Sequence, residues 1–139
     1  ELSLILYYAC FFHDNLLQND SRVHGLVKDV INKLDEISSI YLFSLSYSLG
    51  VLSTEYGIGL SAEQEKKVLD KITANLDEHP VEHYSAFGFS ASQFATKQKD
   101  ALFNLISRLL DKSIDHAELV TGLDIANLFA TIAACRYDK

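Results

Sequence analysis

Hydrophobic positions fall into two alternating patterns along the chain. In residues 25–36 (GLVKDVINKLDE), Leu26, Val30, Ile31 and Leu34 recur at helical spacing, as do Val68, Leu69, Ile72 and Leu76 in residues 66–78 and Leu102, Leu105, Ile106 and Leu109 in residues 99–112. Each stripe is backed by charged residues, which predicts an amphipathic helix with one face in a core and one in water. Between them lie segments with few charges, residues 2–12, 38–53, 81–94 and 122–134, rich in Leu, Phe, Tyr, Ser and Ala. Apolar on most sides, these predict helices sandwiched between neighbours. Matching Leu34, Leu76 and Leu110 gives a period of 34 to 42 residues, within the range of stacked α-hairpins. The expected architecture is therefore all-α: one domain over residues 1–139, built of about three to four antiparallel helical hairpins in an α-solenoid-like stack.

A strand reading competes at one place. Phe43, Leu45, Tyr47, Leu49 and Val51 alternate with Ser44, Ser46, Ser48 and Gly50, the period of an extended chain. Leu42, Leu45, Leu49 and Leu52 also form a helical stripe, and β-branched residues are scarce, so helix is the expectation. Ser and Gly at that spacing would let neighbouring helices approach closely. Local signals set the boundaries. Ser61 with Gln64 reads as a capping box, Asp20 or Ser21 and Thr96 as caps of the other amphipathic helices, and the glycines of EYGIGLS (55–61) as a helix end. Asn19–Ser21 and residues 112–121 are the remaining expected turns.

Composition narrows the function. The chain carries 12 Lys and Arg against 19 Asp and Glu, a formal charge of −7, which argues against a general grip on nucleic acid. Hydrophobic residues make up 48%, enough for a core and for surface that meets a partner. Cys10 and Cys135 are too far apart in sequence for a metal knuckle or redox pair and read as free thiols, which fits a reducing compartment. The longest uncharged run, between Glu36 and Glu55, is studded with Ser and Thr and is too polar to span a bilayer. Starting at Glu1 in mid-pattern and lacking Met, the sequence reads as a processed protein or as a segment of a longer chain.

One motif invites an enzymatic reading. His79-Pro80-Val81-Glu82-His83 has the H-x-x-E-H spacing of the inverted zinc peptidases. Two histidines four residues apart must converge from a rigid helix, and a third ligand must come from elsewhere. Pro80 belongs at a helix start, which would put His79 at the N-cap, and Glu118 is the only glutamate after Glu82. Glu78 and Glu82 then read as acids favoured near a helix N-terminus. The pairs His13-Asp14 and Asp115-His116 are mere neighbours in sequence, and YGIGLS lacks the lysine of a phosphate loop. No catalytic residue, metal ligand or cofactor is expected.

Lys66, Lys67, Lys71, Lys97 and Lys99 lie where they would line one edge of the stack, a ridge able to face single-stranded RNA, although Glu63, Glu65, Asp70, Asp100 and Asp111 interleave with the basic residues and read as a solvated, ion-paired surface. Residues 121–138 (TGLDIANLFATIAACRYD) add a further hint. Thr121 as a cap, Asp124, Ala126-Asn127-Leu128-Phe129 and Ala133 resemble a recurring helix of the organellar helical-repeat proteins of the FAST, RAP-associated and octotricopeptide type, with Leu4–Phe12 and Leu42–Leu52 as more diverged copies. That resemblance implies a mitochondrial or chloroplast setting, with mitochondrial the expectation here, a role in RNA processing, RNA stability or ribosome assembly, and a place in a ribonucleoprotein. The combined expectation is a non-catalytic scaffold that contacts other protein subunits, with direct RNA binding as the alternative.

Overall fold

The computed structural model describes residues 4–7 and 21–136. Residues 4–7 are helical, and six helices follow: α1 (Ser21–Asn32), α2 (Leu42–Tyr56), α3 (Ala62–Ala74), α4 (Tyr84–Phe94), α5 (Lys99–Asp115) and α6 (Gly122–Arg136). No strand occurs among the described residues, so Tyr41–Leu52 takes the helical alternative. Of the expected caps and turns, Asn19 and Asp20 lie outside the described residues, as does Cys10.

The amphipathic helices form one layer and the apolar ones another. Helix α1 packs on α3 and α3 on α5, while α2 packs on α4 and α4 on α6; α5 also lies against α4. Leu42, Leu45, Leu49 and Leu52 of α2 and Phe87, Ala91 and Phe94 of α4 join Val68, Leu69 and Ile72 of α3 and Leu102, Leu105 and Leu109 of α5 in a continuous core. Serine is admissible there because a hydroxyl can bond back along its own helix. Ser48 donates to the Ser44 carbonyl at 2.7 Å and Thr131 to that of Asn127 at 2.8 Å, and both side chains are fully buried. Small residues mark the crossings. A Cβ added to Gly88 would sit 3.4 Å from Leu109 and 3.5 Å from Thr131, so α4 touches both α5 and α6 at that point.

Several boundaries differ from those expected. The first two amphipathic helices stop at Asn32 and Ala74, and the LDE that follows each folds as a separate 3-10 turn, Leu34–Glu36 and Leu76–Glu78. Lys33 and Asn75 make the break, and the Asn75 side-chain Nδ2 donates to the Lys71 carbonyl at 2.7 Å, closing the end of α3. A third such turn, Ala117–Leu119, follows α5, which runs on to Asp115 and shortens the turn expected at 112–121. The three turns begin at Leu34, Leu76 and Ala117, 42 and 41 residues apart. The Ser61–Gln64 capping box forms in both directions, and Gly57, at φ +65°, ends α2 in the left-handed conformation that glycine adopts without strain. Thr121 and Asp124 make an equivalent reciprocal pair at the start of α6, and Asp124 also accepts from Ser85 of α4 at 2.7 Å.

Candidate functional site

Three places gather functional groups: a histidine pair under α4, a buried glutamate beneath α5, and an apolar groove between α5 and α6. The histidine pair belongs to the H-x-x-E-H motif. His79 is not the N-cap of a helix: it closes the 3-10 turn Leu76–Glu78 with extended backbone (φ −106°, ψ 146°). Pro80 is extended as well and precedes the short turn Val81–His83, and α4 starts only at Tyr84. Proline does mark a helical start, but a 3-10 turn intervenes, and the chain bends enough to bring the two imidazoles together with their Nδ1 atoms 3.5 Å apart. His83 stacks on Phe43 with ring centroids 4.2 Å apart, and Phe87 sets its edge against His79 at 4.8 Å.

Two imidazole nitrogens are a partial ligand set, and no group of three or more His, Cys, Asp or Glu residues suited to a metal occurs among the described residues. The pair is held by aromatic packing. Burial pushes the pKa of both imidazoles below the usual value of 6.5, and for His79 a neighbouring His83 charge pushes it further, against the opposing pull of Glu78. The unfolded chain therefore takes up protons near pH 6.5 before the folded one does. Stability is complete above that pH and falls as pH drops through 6.5 toward the lower folded values. Asp77 and Asp124, whose carboxyls are also held below their usual range, lose their contribution only under about pH 3.8, a separate window. Denaturant midpoints measured at pH 7.5 and 5.5 should show lower stability at 5.5, and the double replacement His79→Leu, His83→Phe should flatten that difference.

Glu65 is the residue that sequence reading places wrongly. Taken as part of a solvated charged face, it is instead 1% exposed. It accepts from the backbone amides of Thr96 (3.2 Å), Lys97 (2.7 Å) and Gln98 (3.0 Å), and from the Thr96 hydroxyl at 3.4 Å. Helix α5 has no side-chain cap of its own, so Thr96 is not the cap expected of it; a carboxylate from α3 takes the free amides leading into the helix instead. Nothing local announces this, since the partners lie 31 to 33 residues away.

Of the five lysines of the expected ridge, Lys66, Lys67 and Lys71 lie on α3, Lys97 just before α5 and Lys99 at its first position, and most are engaged. Lys66 pairs with Asp70 at 2.5 Å, Lys67 with Asp35 at 3.4 Å, and Lys97 donates to the Leu60 carbonyl. Lys99 raises positive potential beside Cys135, a half-buried free thiol whose pKa burial pushes up. Lys71 lies on α3, half-buried.

The third place is the apolar groove between α5 and α6. Leu110, Ile114, Ala117, Val120, Ile125 and Leu128 line it, and Phe129 stands beside it, 68% exposed. Among the described residues no helix is long and apolar enough to cross a membrane. No protein-family model, curated protein or solved structure matches this chain.

Proposed function

We propose that the protein is a non-catalytic helical-repeat scaffold, α-solenoid-like in its stacking, that holds other protein subunits in a larger assembly. The observation that carries this reading is the pair of layers, α1–α3–α5 and α2–α4–α6, running through the domain to an uncovered apolar edge at α5 and α6. A stack of this kind works through extended surface and needs no reactive centre, and contiguous exposed apolar side chains are the mark of a contact face. On the resemblance of residues 121–138 to organellar helical-repeat proteins, the assembly is a mitochondrial ribonucleoprotein whose protein components the scaffold joins. Direct reading of single-stranded RNA along Lys66, Lys67, Lys71, Lys97 and Lys99 is the weaker alternative, since three of the five already hold a carboxylate or carbonyl of the protein itself.

Sedimentation of native organellar lysate through a density gradient, with and without ribonuclease, tests the reading. The chain is expected to migrate with a large assembly and to stay there after the RNA is digested. Release by ribonuclease would favour the RNA alternative, and migration as a free monomer in both gradients would overturn the scaffold reading.

A further inference from the structure

The 3-10 turns Leu34–Glu36, Leu76–Glu78 and Ala117–Leu119 recur 42 and 41 residues apart, so the residue that closes each can be compared. Those residues are Ile37, His79 and Val120, all in extended conformation. Ile37 and Val120 are half-buried aliphatics. Packing is met by such side chains, yet the middle unit carries an imidazole that is 7% exposed. Its Nε2 is buried with no hydrogen-bond partner, and an orphaned polar atom inside a protein calls for a reason beyond packing. Its Nδ1 stands 3.5 Å from Nδ1 of His83. That is long for a hydrogen bond between nitrogens, which runs to about 3 Å, and short enough for both atoms to hold one ion at about 2 Å each. Phe43 stacks on the His83 ring at 4.2 Å, and Phe87 sets its edge against His79 at 4.8 Å and His83 at 6.3 Å, which keeps the two rings in register.

We propose that His79 and His83 form a two-nitrogen binding site for a monovalent copper ion. The class of ion follows from what the pair offers and from what surrounds it. Imidazole nitrogen suits zinc, copper, iron and nickel, whereas magnesium and calcium take oxygen. Zinc completes itself with four ligands, and no third His, Cys, Asp or Glu joins the pair among the described residues. A divalent ion would have to keep water where Phe43 and Phe87 pack. Copper(I) has a filled d shell, is content with two or three ligands, and brings a single charge into an apolar place, where burying charge is costly. Burial holds both imidazoles below their usual pKa of 6.5, so at neutral pH their lone pairs are free for the ion. The ion ties the turn ahead of Pro80 to the one behind it and so fixes the bend that leads into α4. This site does not depend on the scaffold reading.

The test is an anaerobic titration of Cu(I), held by the chromophoric chelator ferrozine under ascorbate, into the whole chain carrying Cys10→Ser and Cys135→Ser. Those replacements remove the thiols, which would otherwise compete for this ion. One equivalent is expected to pass from chelator to protein and to raise the thermal midpoint by about 5 °C or more. His79→Leu and His83→Phe, made separately, should each weaken binding by about a hundredfold or more, beyond what the loss of a supporting group costs a metal site. Melts at pH 7.5 check that the variants fold. Should either fail to, side-chain NMR of the parent decides: Cu(I) is expected to shift the imidazole resonances of two of the five histidines and to leave the other three in place. Zn(II), titrated in the same way from a zinc chelator, should bind at least about tenfold more weakly. No transfer from ferrozine, binding indifferent to both variants, imidazole resonances unmoved by Cu(I), or an affinity for Zn(II) equal to that for Cu(I) overturns the proposal.

Discussion

Replacing Glu65 by leucine is expected to lower the thermal midpoint by about 10 °C, the equivalent of about 3 kcal/mol for a domain of this size. The carboxylate is buried beneath the start of α5 and satisfies three successive backbone amides and one hydroxyl. Leucine matches much of its volume but accepts nothing, so the amides of residues 96–98 lose their common partner together. Water recovers part of the loss, because Thr96 and Lys97 are themselves exposed, and this keeps the figure below the sum of separate charged hydrogen bonds. Glu65→Gln separates the two components. It keeps one acceptor oxygen and the packing but gives up the charge facing the helix start, and should cost about 1–2 kcal/mol. Circular dichroism melts of the two variants check this. A leucine variant melting within about 2 °C of the parent would show that the first turn of α5 does not depend on α3.

Glu65 also shows where sequence reading stops. The stripes of α3 and α5 are legible because helical periodicity is local: Val68, Leu69 and Ile72 lie within two turns of one another, and the structure buries all three. The Ser61–Gln64 box is legible for the same reason. Glu65 obeys the same periodicity and stands among Glu63, Lys66 and Lys67, so in sequence it looks like one more solvated charge. Its role depends on the distant segment 96–98 folding over it. His79 illustrates the intermediate case. Proline at 80 signals a start correctly, but the start is the 3-10 turn Val81–His83 and not an α-helix, and His79 is a buried packing residue ahead of it. The groove is the extreme case. Ile125 stands at the same spacing as Tyr84 and is the more apolar of the two, yet it is 48% exposed where Tyr84 is 4%, a difference that follows from which helices lie against each and not from the local pattern.

That arrangement is most exposed to test at Phe87. The side chain is fully buried in α4, the helix that packs on α2, α5 and α6, and it meets Phe43 edge-on at 5.8 Å and His79 at 4.8 Å. Phe87→Ala is expected to cost about 3–5 kcal/mol and to lower the thermal midpoint by about 10–15 °C, because the fixed helices on either side cannot collapse into the space. At the same spacing along the chain Leu128 is 8% exposed and lines the groove between α5 and α6, so Leu128→Ala should cost about 1–2 kcal/mol. The difference between the two follows from their surroundings: Phe87 is enclosed by helices on several sides, whereas Leu128 lines the groove between α5 and α6. A second readout is tied to the same residue. With the ring gone, water reaches His79, its pKa moves back toward 6.5, and the loss of stability between pH 7.5 and 5.5 should shrink in Phe87→Ala relative to the parent. Equal destabilisation by Phe87→Ala and Leu128→Ala, with the pH dependence unchanged, would mean that Phe87 is not enclosed as the packing of α4 on α2, α5 and α6 requires.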